Sequence, residues 1–72
     1  MIKSYKIENL DCANCARKME ERARKVHGVD NVTINFMTEK IKIDADSALF
    51  PFIVDDVEKV CQQIEKDVEI IR

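Results

Sequence analysis

The chain has 72 residues, which is enough for one small domain with a modest core, and we expect residues 1–72 to form a single unit. Its net charge of −2 argues against nucleic acid as a partner, and the absence of an apolar run of roughly 18–20 residues argues against direct membrane insertion. Three cysteines in a chain that starts without a secretory signal argue against a disulfide framework and for a reducing, cytoplasmic compartment.

The first half of the chain reads as a strand, a loop and a helix. Ile2–Glu8 mixes apolar residues with lysines and is predicted to form a strand. Asn9–Asn14 contains turn-forming Asn and Asp and is predicted to be a loop. A helix is predicted from Cys15 to about Val26, because its apolar residues recur at helical spacing. His27-Gly28 should end this helix, since Gly28 suits the left-handed conformation that terminates helices.

The second half is predicted to contain a hairpin, a helix and a short strand. Val29–Phe36 alternates apolar and polar residues, as does Lys40–Asp44, and the two should pair as an antiparallel hairpin. After a loop that extends to Pro51, a helix is predicted from Phe52 or Ile53 to Lys66, and Val68–Ile71 should form the last strand. Three acidic residues are expected in the first turns of this helix, where its dipole favours negative charge: Asp55, Asp56 and Glu58.

The predicted order of elements is β-α-β-β-α-β, which is the ferredoxin-like arrangement of the α+β class. One four-stranded antiparallel sheet with both helices on one face would bury the apolar stripes of both helices. This is the fold that we expect.

Cys12 and Cys15 form a Cys-x-x-Cys motif between the first strand and the first helix. The spacing lets both sulfurs face one point, and the free N–H groups and positive dipole end of a helix start lower thiol pKa values. Thiolate is the state that binds metal or attacks a disulfide, so the motif indicates a soft-metal site or a thioredoxin-like dithiol; two small buried residues are a third interpretation. The chain is short for a thioredoxin-like fold and has no Trp, which favours the metal site.

Asp11, next to the motif, bears on the identity of the metal. Two thiolates alone make a near-linear site that suits Cu(I), a soft ion. A carboxylate is a hard oxygen donor, so Asp11 as a third ligand favours Zn(II), Cd(II) or Pb(II), with a fourth position for water or a partner's ligand. The alternative is that Asp11 caps the first helix by accepting hydrogen bonds from N–H groups at positions 13 or 14.

The stretch Asp-Cys-Ala-Asn-Cys-Ala, with a basic helix, Val26-His27-Gly28-Val29 and an alternating hairpin after it, resembles the heavy-metal-associated domain. That family is the βαββαβ module of copper chaperones and of the N-terminal regions of metal-translocating P-type ATPases, and the resemblance covers nearly the whole chain. It looks most like the zinc-, cadmium- and lead-exporting members, whose motif has Asp immediately before the first Cys. The resemblance implies that Cys12 and Cys15 bind metal as thiolates and Asp11 as a carboxylate.

The chain departs from the family pattern at two places. Asn9-Leu10 stands where the family usually has Gly-Met; Asn tolerates the positive φ that Gly supplies, and Leu10 can fill the apolar space under the loop. Copper-type members often carry Gly-Tyr or a Lys before the last strand. This loop is Lys66-Asp67, which weakens the copper interpretation, although Lys66 could approach the site.

Three other residues with metal-binding side chains are predicted to be structural. Cys61 and Met19 lie on apolar stripes and are expected in the core, and His27 is expected at the end of the first helix far from the motif. The first helix is mainly basic and the second mainly acidic. These are either two solvated faces or, in the functional interpretation, a basic helix that steers an acidic partner surface.

From the sequence we expect a metal-binding domain and not an enzyme: the cytosolic N-terminal part of a P-type exporter. It would take a divalent ion and pass it to a donor or acceptor protein or to the transmembrane part of the transporter. A free-standing Cu(I) metallochaperone is the alternative, and a thiol–disulfide oxidoreductase has less support. The domain is expected to be a monomer.

Overall fold

In a computed structural model that describes residues 1–72, four strands form one antiparallel sheet in the order β2-β3-β1-β4. The elements in chain order are β1 (Ile2–Glu8), α1 (Ala13–Ala23), β2 (Val29–Asn35), β3 (Lys40–Ala45), α2 (Phe50–Ile64) and β4 (Glu69–Ile71). A short 3-10 turn precedes α2. The predicted ferredoxin-like βαββαβ fold is confirmed. Neither helix is both long and apolar enough to cross a membrane.

The core lies between the helices and one face of the sheet. Ile41 and Ile43 of β3 are fully buried there, in one cluster with the apolar stripes of both helices. The opposite face is polar: Lys42 lies between Ser4 of β1 and Thr33 of β2. No buried residue is polar or charged. The alternation along the strands therefore decides which face the helices cover, because only one face offers apolar surface to bury.

Helix α1 begins at Ala13 and not at the predicted Cys15. Cys12 occupies the N-cap position with an extended backbone (φ −144°, ψ 129°), and its carbonyl accepts a hydrogen bond from the N–H of Ala16 at 3.0 Å. The Asn and Asp content suggested a longer loop, but Ala13 is a strong helix former and the chain turns as soon as the cap is in place. Both cysteines thus belong to the helix start.

The C-terminal end of α1 also differs from the prediction. The helix ends at Ala23, short of Val26, and the chain leaves it in a tight turn in which the N–H of Val26 donates to the carbonyl of Ala23 at 3.1 Å. Gly28 has a φ of +93°, which confirms its predicted left-handed conformation. A Cβ at this position would lie 3.1 Å from Cδ1 of Ile53, so Gly28 also allows the turn to approach α2.

Helix α2 begins at Phe50, before the predicted start, and ends at Ile64 before the predicted Lys66. Pro51, predicted to be in the loop, lies in the first turn, where the helix needs no N–H donor and proline is tolerated. Asp55, predicted in the first turns of this helix, lies in its second turn. The earlier start places it further along the helix, and the first turn contains no acidic residue.

The sheet register brings two connections together at one end of the molecule. Glu8, the last residue of β1, pairs with Glu69, the first residue of β4. The β1–α1 loop (residues 9–12) therefore leaves the sheet beside the α2–β4 turn (residues 65–68). The Cys-x-x-Cys motif begins in the first of these segments, so the second is its neighbour in space.

Candidate metal site

The two thiols of the motif converge at the start of α1. Cys12 is the N-cap residue and Cys15 lies in the first turn, and both side chains are partly buried. The two thiols are close enough to shift each other's pKa. The structure thus brings together the two sulfurs that the sequence predicts as ligands.

The two thiols differ in acidity. The backbone of Cys15 at the helix start lowers the pKa of Cys12, and the Cys15 side chain and the backbone of Asn14 act in the same direction. The interaction with the Cys12 side chain raises the pKa of Cys15 to about 11, with further contributions from burial and from Glu65. Cys12 is therefore the sulfur that ionises first. A metal ion that takes both sulfurs displaces a proton from Cys15.

Glu65 is the residue at this site that the sequence did not point to. It is the C-cap residue of α2, where its N–H donates to the carbonyl of Cys61 at 2.9 Å. Its carboxylate raises the pKa of Cys15 through a hydrogen bond and through its charge, and its charge also acts on Cys12. The family resemblance pointed to Lys66 in this turn. The side chain that acts on both thiols is instead that of Glu65.

Asp11 does not act as a helix cap. The N-cap residue is Cys12, and no side chain forms a capping hydrogen bond at this helix start. Asp11 is exposed and outside the helix. The capping alternative for Asp11 is therefore not observed, and its carboxylate is left free for another role.

The protein side chains form a two-sulfur site in this conformation and not a complete three-ligand site. No three His, Cys, Asp or Glu side chains come close enough together to hold a metal ion. A third protein ligand requires a side chain to turn toward the sulfurs, and two carboxylates lie on the segments that flank them, Asp11 and Glu65.

Two residues of the β1–α1 loop fix its path. Asn9 has a φ of 63°, the conformation expected of a residue that replaces the family's usual glycine. Its side-chain amide donates to the carbonyl of Asp67 at 2.8 Å. Leu10 is buried among the core residues, as predicted for the residue that fills the space under the loop.

The other candidate ligands are structural, as predicted. Met19 and Cys61 are fully buried in the core, and burial raises the pKa of Cys61 to about 12. His27 is exposed in the turn after α1, at the far end of that helix from the cysteines.

The exposed face of α1 carries unpaired positive charge. Arg24 binds Glu20 (3.6 Å), Asn31 and the carbonyl of Val32. The remaining basic residues of the α1 segment form no ion pair within the chain: Arg17, Lys18, Arg22 and Lys25. Basic side chains thus surround the helix that begins at the two cysteines.

Over residues 4–69 the sequence matches the heavy-metal-associated domain. The chain belongs to this family. The zinc/cadmium/lead-transporting P-type ATPase of Shigella sonnei (strain Ss046) is 41% identical to the domain over 56 residues, which are 78% of this chain and 8% of that ATPase. The domain thus spans a small part of the length of this relative.

Solved structures show the same fold. The apo N-terminal domain of ZntA has a TM-score of 0.73 at 35% identity, over 99% of this domain and 92% of that chain. A copper-binding domain from HMA7, a P-type ATPase, has a TM-score of 0.72 at 18% identity, over 99% and 93% of the two chains. At that identity the second likeness shows the fold alone. Since the fold also occurs in a copper-binding domain, the fold does not select the metal.

Proposed function

We propose that this heavy-metal-associated domain binds Zn(II), Cd(II) or Pb(II) through Cys12 and Cys15, and passes the ion on as the cytosolic N-terminal domain of a metal-exporting P-type ATPase. The observation that carries the proposal is the pair of free thiols at the start of α1, Cys12 at the N-cap and Cys15 in the first turn, with a carboxylate on each of the two flanking segments. Two soft sulfurs with a hard oxygen donor suit a divalent ion of this group.

The proposed third ligand is Asp11. It adjoins Cys12, it is exposed, and no hydrogen bond to the helix start holds it. Glu65 is the competing donor, because it lies in the turn next to the site and raises the pKa of the Cys15 thiol. Two thiolates balance the charge of a divalent ion but give it only two ligands, so the site remains incomplete for Zn(II), which takes four, until a carboxylate turns inward.

The second candidate function is that of a Cu(I) metallochaperone. It is favoured by the fact that only the two sulfurs converge in this conformation, since Cu(I) is satisfied by two thiolates. In that case neither Asp11 nor Glu65 contributes to affinity. A reading frame that continues into transmembrane segments would exclude a free-standing chaperone.

Transfer of the ion would proceed by ligand exchange. The position left open by two sulfurs and one carboxylate admits a thiolate or carboxylate of a donor or acceptor, and Cys12 or Cys15 then leaves. The unpaired basic residues of α1, such as Arg17 and Lys18, border the site and would attract an acidic partner surface. Such steering acts mainly on the rate of association and weakens as salt is added.

The deciding experiment titrates the reduced domain, first confirmed to be monomeric, with Zn(II) and with Cu(I) in competition with chelators. Cys12→Ser and Cys15→Ser should each abolish tight binding of both ions, whereas Cys61→Ser should not, because that thiol is buried in the core. Extended X-ray absorption of the Zn(II) form should give two sulfur ligands and at least one oxygen. A zinc site without sulfur ligands, or Zn(II) binding that survives Cys12→Ser, would refute the proposal.

A further inference from the structure

The sheet has two outer edges, formed by β2 on one side and by β4 on the other. Along an antiparallel strand, successive residues direct their backbone N–H and C=O groups alternately to one neighbouring strand and to the opposite side. The N–H of Ile7 donates to the carbonyl of Glu39 at 2.9 Å, so the two central strands bond to each other through odd-numbered residues and to the outer strands through even-numbered ones. The observed register then turns the backbone groups of four residues on the two edges outward: Val32, Ile34, Val68 and Ile70.

Helix α1 covers the outer edge of β2 with two side chains that lie one helical turn apart. The carboxylate of Glu20 accepts a hydrogen bond from the N–H of Ile34 at 2.5 Å. Nε of Arg24 donates to the carbonyl of Val32 at 3.1 Å, and an ion pair of 3.6 Å joins Arg24 to Glu20. Positions four apart share one face of a helix, so the two side chains reach the same strand. The helix thus supplies an acceptor to an outward N–H and a donor to an outward C=O.

Helix α2 covers the other edge in the same way. The carboxylate of Glu58 accepts a hydrogen bond from the N–H of Ile70 at 2.9 Å, and the side-chain amide of Gln62 donates to the carbonyl of Val68 at 3.1 Å. In both halves of the chain the acceptor precedes the donor by four helix positions, and the N–H follows the C=O by two strand positions. We refer to these two pairs of helix side chains as the edge pairs: Glu20 with Arg24, and Glu58 with Gln62.

We propose that the edge pairs close both edges of the sheet to a further strand and so keep the folded domain monomeric. An uncovered edge presents a row of free N–H and C=O groups with which another chain can pair. The partner that this arrangement excludes is a second copy of the domain, which would align its own β2 with β2 edge to edge. Strand β2 has seven residues and β4 three, so β2 is the edge with more to cover. The inference goes beyond the proposed function and does not depend on it, because no edge-pair residue is a proposed metal ligand.

The two carboxylates are held against the sheet and are not free surface groups. Only 20% of the Glu20 side chain and 24% of the Glu58 side chain are exposed, and each carboxylate is also paired with an arginine, Arg24 and Arg72. A hydrogen bond from a backbone N–H to a carboxylate is stronger than one between neutral groups. The same bonds also fasten each helix to its strand. Fastening alone predicts that their loss lowers stability, whereas closure of the edges predicts that the folded domain self-associates.

The test compares two double variants that lose the same charge. Glu20→Ala with Glu58→Ala removes both acceptors, whereas Glu20→Gln with Glu58→Gln keeps an oxygen that can accept the strand N–H. In sedimentation velocity on the reduced domain with metal removed, the wild type and the Gln variant should be monomers, and the folded Ala variant should self-associate at the same concentration. If circular dichroism shows that the double Ala variant is unfolded, Glu20→Ala alone is measured, since it uncovers the longer edge. A folded Ala variant that stays monomeric would overturn the inference.

Glu21 and Asp56 provide a matched control. Both are exposed, one on each helix, and neither side chain takes part in an ion pair or a hydrogen bond to a strand. Glu21→Ala with Asp56→Ala therefore removes two negative charges and leaves both edges covered, so this variant should remain a monomer. Self-association equal to that of the edge-pair Ala variant would assign the effect to the lost charge and overturn the inference.

Amide hydrogen exchange tests each edge separately, at a dilution at which every variant is monomeric. The N–H groups of Ile34 and Ile70 face outward, so their protection in the wild type depends on the two carboxylates. Glu20→Ala should speed exchange at Ile34 about two- to tenfold, the range that corresponds to one hydrogen bond, and leave Ile70 unchanged. Glu58→Ala should do the reverse. Unprotected amides in the wild type, or an equal change at both amides in each variant, would overturn the inference.

Discussion

Glu65, at the end of the second helix, raises the pKa of the Cys15 thiol, which lies in the first turn of the first helix. Glu65 raises the pKa of Cys15 and is thus part of the environment of the candidate metal site. A carboxylate near a thiol disfavours ionisation of the thiol, because it repels the thiolate charge. The same negative charge stabilises a divalent cation that replaces the thiol proton. The same carboxylate can therefore oppose thiolate formation and favour a bound metal ion.

Glu65→Gln should lower the pKa of Cys15 from its value of about 11, because the substitution removes a negative charge that disfavours the thiolate. The 13C chemical shift of the Cys15 Cβ, followed against pH in the reduced apo domain, measures this pKa. Glu21→Gln removes the same charge from an exposed position on α1 and should leave it nearly unchanged. An unaltered Cys15 pKa in Glu65→Gln would mean that the carboxylate does not act on the thiol in solution.

Zn(II) affinity should rise with pH. The folded-state pKa of Cys15 is about 11, so near neutral pH this thiol must lose its proton when the metal binds, and each pH unit should strengthen binding about tenfold through this proton alone. The pKa of Cys12 is lowered, and Cys12 adds to the pH dependence of the affinity only at pH values below that pKa. Chelator competition at pH 6, 7 and 8 measures the slope. A slope of zero would contradict binding through the Cys15 thiolate.

Asp11→Asn should weaken Zn(II) binding about tenfold, or about 1.4 kcal/mol, and leave Cu(I) binding unchanged, because the third donor matters only for the divalent ion. Its free energy of unfolding should change by less than about 0.5 kcal/mol, since Asp11 forms no cap, whereas loss of a cap costs about 1 kcal/mol. Asp30→Asn, which removes an equal charge from an exposed residue, is the control. Unchanged Zn(II) affinity would leave Glu65 as the oxygen donor.

Gly28→Ala should destabilise the domain by about 1–2 kcal/mol, because the φ of +93° is unfavourable for a residue with a Cβ. The added Cβ would also lie 3.1 Å from Cδ1 of Ile53. Ile53→Val removes that atom. Urea unfolding of the two single variants and the double variant therefore separates backbone strain from the contact with Ile53. If the double variant loses as much free energy of unfolding as the two single variants together, the loss in Gly28→Ala comes from backbone strain. Metal affinity should not change, since this turn lies beyond the far end of α1. Equal stability of Gly28→Ala and the wild type would contradict the left-handed conformation.

Several structural features could be predicted from local patterns because each depends on nearby residues. The alternation along Lys40–Asp44 predicted a strand, and its apolar residues Ile41 and Ile43 are buried; the apolar stripes predicted Met19 and Cys61 in the core, where they lie. The helix limits were less accurate. The Cys12 carbonyl and the tolerance of a first turn for Pro51 allow both helices to start earlier than composition suggests.

The sequence by itself determined the fold class, the family and the pair Cys12 and Cys15, because two cysteines three residues apart at a helix start are neighbours wherever the rest of the chain lies. It also placed Asn9 in the left-handed region. Only the tertiary structure decided what surrounds the sulfurs. The pairing of Glu8 with Glu69 brings the α2–β4 turn to the β1–α1 loop, and with it Glu65, which raises the pKa of Cys15. That arrangement depends on the sheet register and on the length of α2, which no local pattern specifies.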